Sequence, residues 1–191
     1  KIILCTTKLK KDKILGKIAK KWKINFFRGE EKNVLKRMLD SIKKVKTDII
    51  VRITGDDILI DPHYLDTAIE HHLSNNLQYT DNKNLPSGTE VEIFDKNLLK
   101  MIYDLAEDTS GTEYLTFYLN RYKDQFNTSS VAIKKKHKKK LRLTLDTKYD
   151  FTVIKKFLES MKSKGMLFNY KMDDIIKFGR NNKKLFNKNK N

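Results

Sequence analysis

Val51-Arg52-Ile53-Thr54-Gly55-Asp56-Asp57-Ile58-Leu59-Ile60-Asp61-Pro62 is the stretch that decides how this chain reads. Together with Asp48-Ile49-Ile50 it begins as a β-branched apolar run, the pattern of a buried strand over Asp48–Thr54. Gly55 breaks the run, and two acids follow at the strand's carboxyl end. Asp61-Pro62 then starts a helix, with Asp as N-cap and Pro at the first helical position. Leu65, Ala68, Ile69 and Leu73 supply the apolar face of that helix. In open α/β sheets ligands bind just beyond the carboxyl ends of the strands, so Gly55-Asp56-Asp57 falls where chemistry is expected.

The same alternation extends in both directions. Upstream, Ile2–Thr6 reads as a buried strand, and Ile14, Leu15, Ile18 and Trp22 have helical spacing. Ile24–Phe27 is a short strand, and the apolar positions from Val34 to Val45 mark one face of a helix. Downstream, residues 74–87 are polar and predict a loop. Glu90–Phe94 predicts a strand, and Asp95 caps a helix carrying Leu98, Leu99, Ile102 and Leu105. A further helix is predicted over Glu113–Tyr122, and an edge strand over Val131–Ile133. Leu141–Leu145 alternates Leu, Arg, Leu, Thr, Leu, a period-two strand pattern ending at Asp146. The following helix places Phe151, Ile154, Phe157, Leu158 and Met161 inward, and a short last helix holds Ile175 and Ile176. Strand–helix alternation of this length predicts a mostly parallel sheet covered by helices on both faces.

Composition bounds the function. The 191 residues include 41 Lys+Arg and 24 Asp+Glu, a formal net charge of +17, with 39% apolar residues. Seven Gly and two Pro exclude collagen-like and Pro-rich classes. No apolar stretch is long enough for a membrane span. Cys5 is the only cysteine, which excludes a disulfide framework and a Cys-based zinc cluster. No secretory h-region is visible, and the expected location is the cytoplasm. The basic residues are spread among many Asn and Ile, with runs at Lys134–Lys140 and Lys183–Asn191. Neither run carries the Arg and aromatic interleaving of a nucleic-acid groove, so both read as solvated segments. A domain over 1–180 with a basic tail over 181–191 is expected. Residue 1 is Lys and leads straight into a buried strand, so the chain reads as a fragment whose preceding βα unit is absent.

Two apolar strands thus end in aspartate, at Asp56 and Asp146. Either alone is explained by helix capping. In equivalent positions on one sheet edge, the pair supplies hard oxygen ligands suited to Mg²⁺ bridging nucleotide phosphates. Arg28-Gly29, past the Phe26-Phe27 strand, offers a phosphate or base contact, or a solvent-facing turn. Arg52 lies in an otherwise apolar strand and needs a partner anion or an edge position. Glu90 and Glu92 share a strand face, opposite Val91 and Ile93. His71-His72 end a helix, where a cation suits the macrodipole. No zincin, nucleophile-elbow or Walker A pattern occurs. Gly55-Asp56-Asp57 alone also matches a polymerase tripeptide, but the chain is too short for that context.

In order along the chain, six blocks resemble the spore-coat polysaccharide biosynthesis protein SpsF family, related to the CMP-sugar-acid synthetases (acylneuraminate and 3-deoxy-manno-octulosonate cytidylyltransferases). Phe27-Arg28-Gly29-Glu30 with Asn33–Arg37 resembles "FRGS…DVLGR". Val51–Pro62 resembles "VRITGDCPLIDP", the most specific block. Gly88 with Glu90–Phe94 resembles "G-x-DVEVF", Glu113–Thr116 "EHVT", and Leu141–Thr147 "RLTVDT". Ile2–Thr7 looks like the family's second strand. Asn33, Asp57, Glu90 and Tyr114 depart from the family's acid, Cys, Asp and His. The family's opening strand and "R-x-G-S-x-R-L-P-G-K" loop have no counterpart. Relatives cradle the nucleotide triphosphate there, so a chain starting at Lys1 is expected to bind CTP poorly.

The resemblance implies an α/β/α sandwich of the nucleotide-diphospho-sugar transferase, Rossmann-like type, lacking its first βα unit. It implies transfer of CMP from CTP to a sugar acid for surface polysaccharide, with release of pyrophosphate. Asp56 and Asp146 would be catalytic and hold Mg²⁺. Arg28, Arg52, Thr54 and Gly55 would contact the nucleotide, and Glu90, Glu92 and Glu113 the acceptor. CTP and a sugar acid are the expected partners. Residues 88–120 are where relatives dimerise, which makes a homodimer a second expectation. Two rival readings share the same residues: a metal-dependent GT-A-type glycosyltransferase, and an inactive or basic binding fragment.

Overall fold

A computed structural model describes residues 1–106, 118–119, 121 and 125–187. The chain divides into two compact units, residues 1–50 with 94–127 and residues 51–93 with 128–191. The predicted helix over 113–122 and Glu113 itself fall almost wholly outside the described residues.

In the first unit, strands β1 (Ile3–Thr7) and β2 (Asn25–Gly29) pair in parallel, Cys5 opposite Phe27. Helix α1 (Lys13–Lys21) connects them, as a parallel pair requires. Helix α2 (Val34–Ile42) packs on both strands, and α4 (Lys96–Leu105) packs on α2. Asn33 and Asp95 cap these helices by accepting backbone N–H groups of Lys36, and of Asn97 and Leu98. Leu35, Ile42, Phe94, Leu98, Leu99 and Ile102 are buried. The predicted inward face of α1 is largely outside: Ile14, Ile18 and Trp22 are exposed, and Ala19 is the buried residue of that helix.

The second unit carries a four-strand sheet ordered β3–β5–β4–β6, from strands β3 (Ile49–Arg52), β5 (Glu92–Asp95), β4 (Tyr79–Asp81) and β6 (Thr128–Ser130). β3 and β5 each straddle the division between the units. Helix α3 (Pro62–Ser74) starts as the sequence predicts, with the Asp61 carboxylate accepting from the His63 amide at 2.9 Å. Its other oxygen accepts from the Met172 amide at 2.7 Å and so joins α3 to helix α6 (Met172–Asn181). Helix α5 (Lys148–Ser163) begins in a capping box between Thr147 and Asp150. It buries Val153, Ile154, Phe157 and Met161, while Phe151 is exposed. Phe157 meets Tyr170 and Phe178 edge-on at 5.1 and 5.4 Å.

Four expectations are corrected here. The polar stretch 74–87 contains β4, whose three residues are all buried. The strand expected at 131–133 lies at 128–130, paired in parallel with β4. Leu141–Leu145 is not a ladder strand, because its backbone pairs at one bridge, Ser87 to Arg142, with Leu143 N–H donating to Ser87 O at 2.7 Å. Part of the expected tail is helix α7 (Lys183–Asn187), and Phe186 in it is buried and stacked edge-on against Phe178.

Candidate active site

Beyond Arg52 the chain turns sharply. The Asp57 amide donates to the Thr54 carbonyl at 3.2 Å, and the Thr54 hydroxyl donates to Asp57 Oδ2 at 2.7 Å. Gly55 sits at the apex, exposed, where a Cβ would meet no atom within 4 Å. The segment leading to Asp146 is bound to this turn directly, since Leu145 N–H donates to the Asp56 carbonyl at 3.0 Å. The two aspartates that the sequence pairs thus come from adjoining backbones in the second unit. Both carboxylates act on Asp57, which burial chiefly holds above the usual carboxylate range. The Thr54 hydrogen bond opposes that rise, Asp56 adds to it, Arg52 opposes it, and Asp146 adds to it.

Gly88 makes this approach possible. Its φ is +91°, and a Cβ there would lie 2.3 Å from the Leu143 carbonyl carbon. Backbone on backbone at that spacing admits only glycine. The segment 141–145 is therefore pinned at Ser87 and Gly88 on one side and at Asp56 on the other.

Arg142 projects from this segment, and its guanidinium forks. Nη1 donates to Asp150 Oδ1 at 2.7 Å, and Nη2 donates to Asp146 Oδ2. Asp150 is buried, and its Oδ2 accepts from the Asp146 amide at 3.1 Å, the Thr147 amide at 2.8 Å and the Thr147 hydroxyl at 2.9 Å. Asp146 itself is half exposed.

The half-buried cation in β3 finds the anion it needs. Arg52 Nη1 pairs with Glu92 Oε2, and Tyr79 Oη donates to Glu92 Oε1 at 3.1 Å. Burial first, then Glu92 and Asp81, hold the Tyr79 phenol far above its ordinary value. Glu90 lies just before β5, and its carboxyl is pushed up to about 7 by burial and by the charges of Asp57, Asp81 and Glu92. Next to it, Asn82 Oδ1 accepts from the Val91 amide at 2.7 Å.

Of the nucleotide candidates, Arg52, Thr54 and Gly55 share this unit with Asp56 and Asp146. Arg28 lies in the first unit, where its guanidinium donates to the carbonyls of Thr7 and Leu9, both at 3.1 Å, and to that of Lys8. The Lys134–Lys140 run is anchored rather than loose: His137 is buried, with Nδ1 2.7 Å from Tyr64 Oη and Nε2 3.0 Å from Asp173. Sequence reasoning passed over Asp57, Arg142 and Asp150 as site residues. Their signals were the second acid after Gly55, a charge inside an apolar alternation, and the N3 acid of a capping box. Tyr79 and Asp81 gave no signal in a polar stretch.

The donor set suits a hard cation, being made of carboxylate oxygens that repel one another. Among the described residues no three His, Cys, Asp or Glu side chains form a ready cage. Mg²⁺ is commonly held by one or two carboxylates, with phosphates and water completing its shell. Asp56 and Asp146 would be the protein ligands.

Comparison with known proteins bears on the same reading. The cytidylyltransferase family pattern matches residues 1–189. The chain is 32% identical over 191 residues to the uncharacterized protein MJ1063 of Methanocaldococcus jannaschii, covering 77% of it. It is 31% identical over 156 residues, 81% of this chain, to the spore coat polysaccharide biosynthesis protein SpsF of Bacillus subtilis, and covers 65% of that protein. Among solved structures, a cytidylyltransferase from Leptospira borgpetersenii superposes with a TM-score of 0.87 at 27% identity, over 96% of this chain and 77% of that one. CMP:2-keto-3-deoxy-manno-octonic acid synthetase, solved with CTP, superposes with a TM-score of 0.58 at 11% identity, over 84% of this chain and 81% of that one, a likeness of fold. Among the described residues no helix is long and apolar enough to cross a membrane. With its mixed α/β fold of the nucleotide-sugar transferase type, this chain belongs to the cytidylyltransferase family of nucleotidyltransferases.

Proposed function

We propose that this chain carries the site for transferring CMP from CTP to a hydroxyl of a sugar acid, in the cytoplasmic supply of activated sugars for surface polysaccharide. The reading rests above all on the hydrogen bond from the Leu145 amide to the Asp56 carbonyl, which joins the backbone segments that lead to the two acids. The acceptor oxygen bonds to the α-phosphorus, the α–β phosphoanhydride bond breaks, and pyrophosphate leaves. Mg²⁺, when bound, neutralises charge developing on the phosphate oxygens and orients the leaving group. Asp56 and Asp146 would hold it. Thr54 and Gly55 lie on the turn that the nucleotide approaches, and Arg52 supports them from a fixed ion pair. Glu90, whose carboxyl is pushed up to about 7 by burial and by the charges of Asp57, Asp81 and Glu92, contacts the acceptor. Glu92 is held by Arg52 and Tyr79 and shapes the acceptor side. A homodimer is part of the same reading.

The test is pyrophosphate release with CTP, Mg²⁺ and a panel of sugar acids. Turnover with at least one acid, lowered at least ~10²-fold by Asp56→Ala, supports the reading. Near-normal turnover in that variant overturns it. Release of a nucleoside phosphate from a nucleotide-sugar instead would favour the glycosyltransferase alternative.

A further inference from the structure

Asp146 has an unusual set of restraints for a residue at a chain turn. Its amide donates to Asp150 Oδ2 at 3.1 Å, and its Oδ2 accepts from Arg142. Its Oδ1 takes no hydrogen bond among the described residues, and the side chain is half exposed. Arg142 is in turn fixed at both ends. Its backbone bridges to Ser87, next to the Gly88 approach, and its other nitrogen is bound to Asp150, which is 1% exposed. Asp150 spends its second oxygen on the capping box. A buried carboxylate needs a paired cation, so Asp150 holds the guanidinium firmly.

We infer that Arg142 is a positioning residue: its planar fork, anchored on buried Asp150, locks one oxygen of Asp146 and so presents the other to a divalent cation. This deepens the reading above and rests on it. An aspartate left to rotate at an exposed turn would lose side-chain entropy on gripping a cation, and the fork removes that freedom beforehand. A lysine offers one point charge on a flexible stem where the guanidinium offers two fixed donors, so lysine is not an equivalent replacement. Groups that orient metal ligands in this way typically carry 10- to 100-fold in metal affinity.

The experiment is a Mn²⁺ titration of the protein alone, followed by the loss of the free-ion electron paramagnetic resonance signal. It is run on the unaltered chain, Asp146→Asn, Arg142→Lys and Arg142→Gln, with melting temperatures alongside. Asp146→Asn should abolish the strongest site. Arg142→Lys should weaken that site about 10-fold by more than its melting temperature alone accounts for, since the lysine retains a charge for Asp150. Arg142→Gln should weaken it at least as much. If Asp146→Asn binds Mn²⁺ as the unaltered chain does, the underlying metal reading fails. If Asp146→Asn loses the site but Arg142→Lys and Arg142→Gln bind within twofold of the unaltered chain, the positioning role is overturned. Should neither arginine variant fold, arginine-labelled unaltered protein decides. The Arg142 guanidinium resonance shifts on Mg²⁺ addition if the inference holds, and stays unmoved if it does not.

Discussion

The Leu145 amide donates to the Asp56 carbonyl at 3.0 Å, across 89 positions of sequence, so the backbone that carries Asp146 is tied to the backbone of the other acid. Two groups joined in this way should act as one. Asp56→Asn and Asp146→Asn should each lower pyrophosphate release at least ~10²-fold, and the double variant should be little worse than either single one. Rates for all three, measured under one set of conditions, check this. Multiplying losses would mean that the two acids serve separate steps.

Gly55 and Gly88 should respond in opposite ways to alanine. Gly88→Ala places a methyl group against the Leu143 backbone at a φ of +91° and should cost more than about 2 kcal/mol of stability. Gly55→Ala meets open space, so its melting temperature should stay close to that of the unaltered chain, while activity falls because the nucleotide loses its close approach. Thermal melts paired with rates separate the two.

Arg52 and Glu92 form a pair of which each side chain is about one-sixth exposed, 17% and 16%. Arg52→Met leaves Glu92 charged and poorly solvated, and should destabilise the protein by about 3 kcal/mol. Arg52→Met combined with Glu92→Gln should recover much of that loss, because no unpaired charge remains. Urea unfolding midpoints for the single and double variants measure the coupling.

Glu90 sets a pH dependence. Its carboxyl is raised from 4.5 to about 7 in the folded protein, so the folded state holds this proton more tightly than the unfolded one. Its contribution to stability is complete below pH 4.5 and is lost as pH rises through about 7. Glu90→Gln removes that loss. The stability difference between the variant and the unaltered chain should therefore grow in the variant's favour from pH 4.5 to about 7 and then level off. Urea midpoints across this range test it, and a constant difference would contradict it.

The sequence by itself determined the class of fold and marked the two acidic breaks proposed here as the site. The β-branched run before Gly55 and the Asp61-Pro62 cap were local signals, and local signals survive folding because they are set by backbone sterics and by hydrogen bonds a few residues apart. The aspartates at 56 and 146 were legible for the same reason, as breaks at the ends of apolar runs. Tertiary structure alone decided who meets whom. β4 was hidden in a polar stretch because its Thr80 and Asp81 are buried by neighbours distant in sequence. Leu141–Leu145 has a strand's alternation but forms one bridge, at Arg142, with separate hydrogen bonds to Ser87 and Asp56 in place of a ladder. Arg142 is one polar member of that alternation, and only the folded chain brings its guanidinium between buried Asp150 and half-exposed Asp146. Pattern reports which face a residue prefers. Which charge waits on that face depends on the path of the rest of the chain.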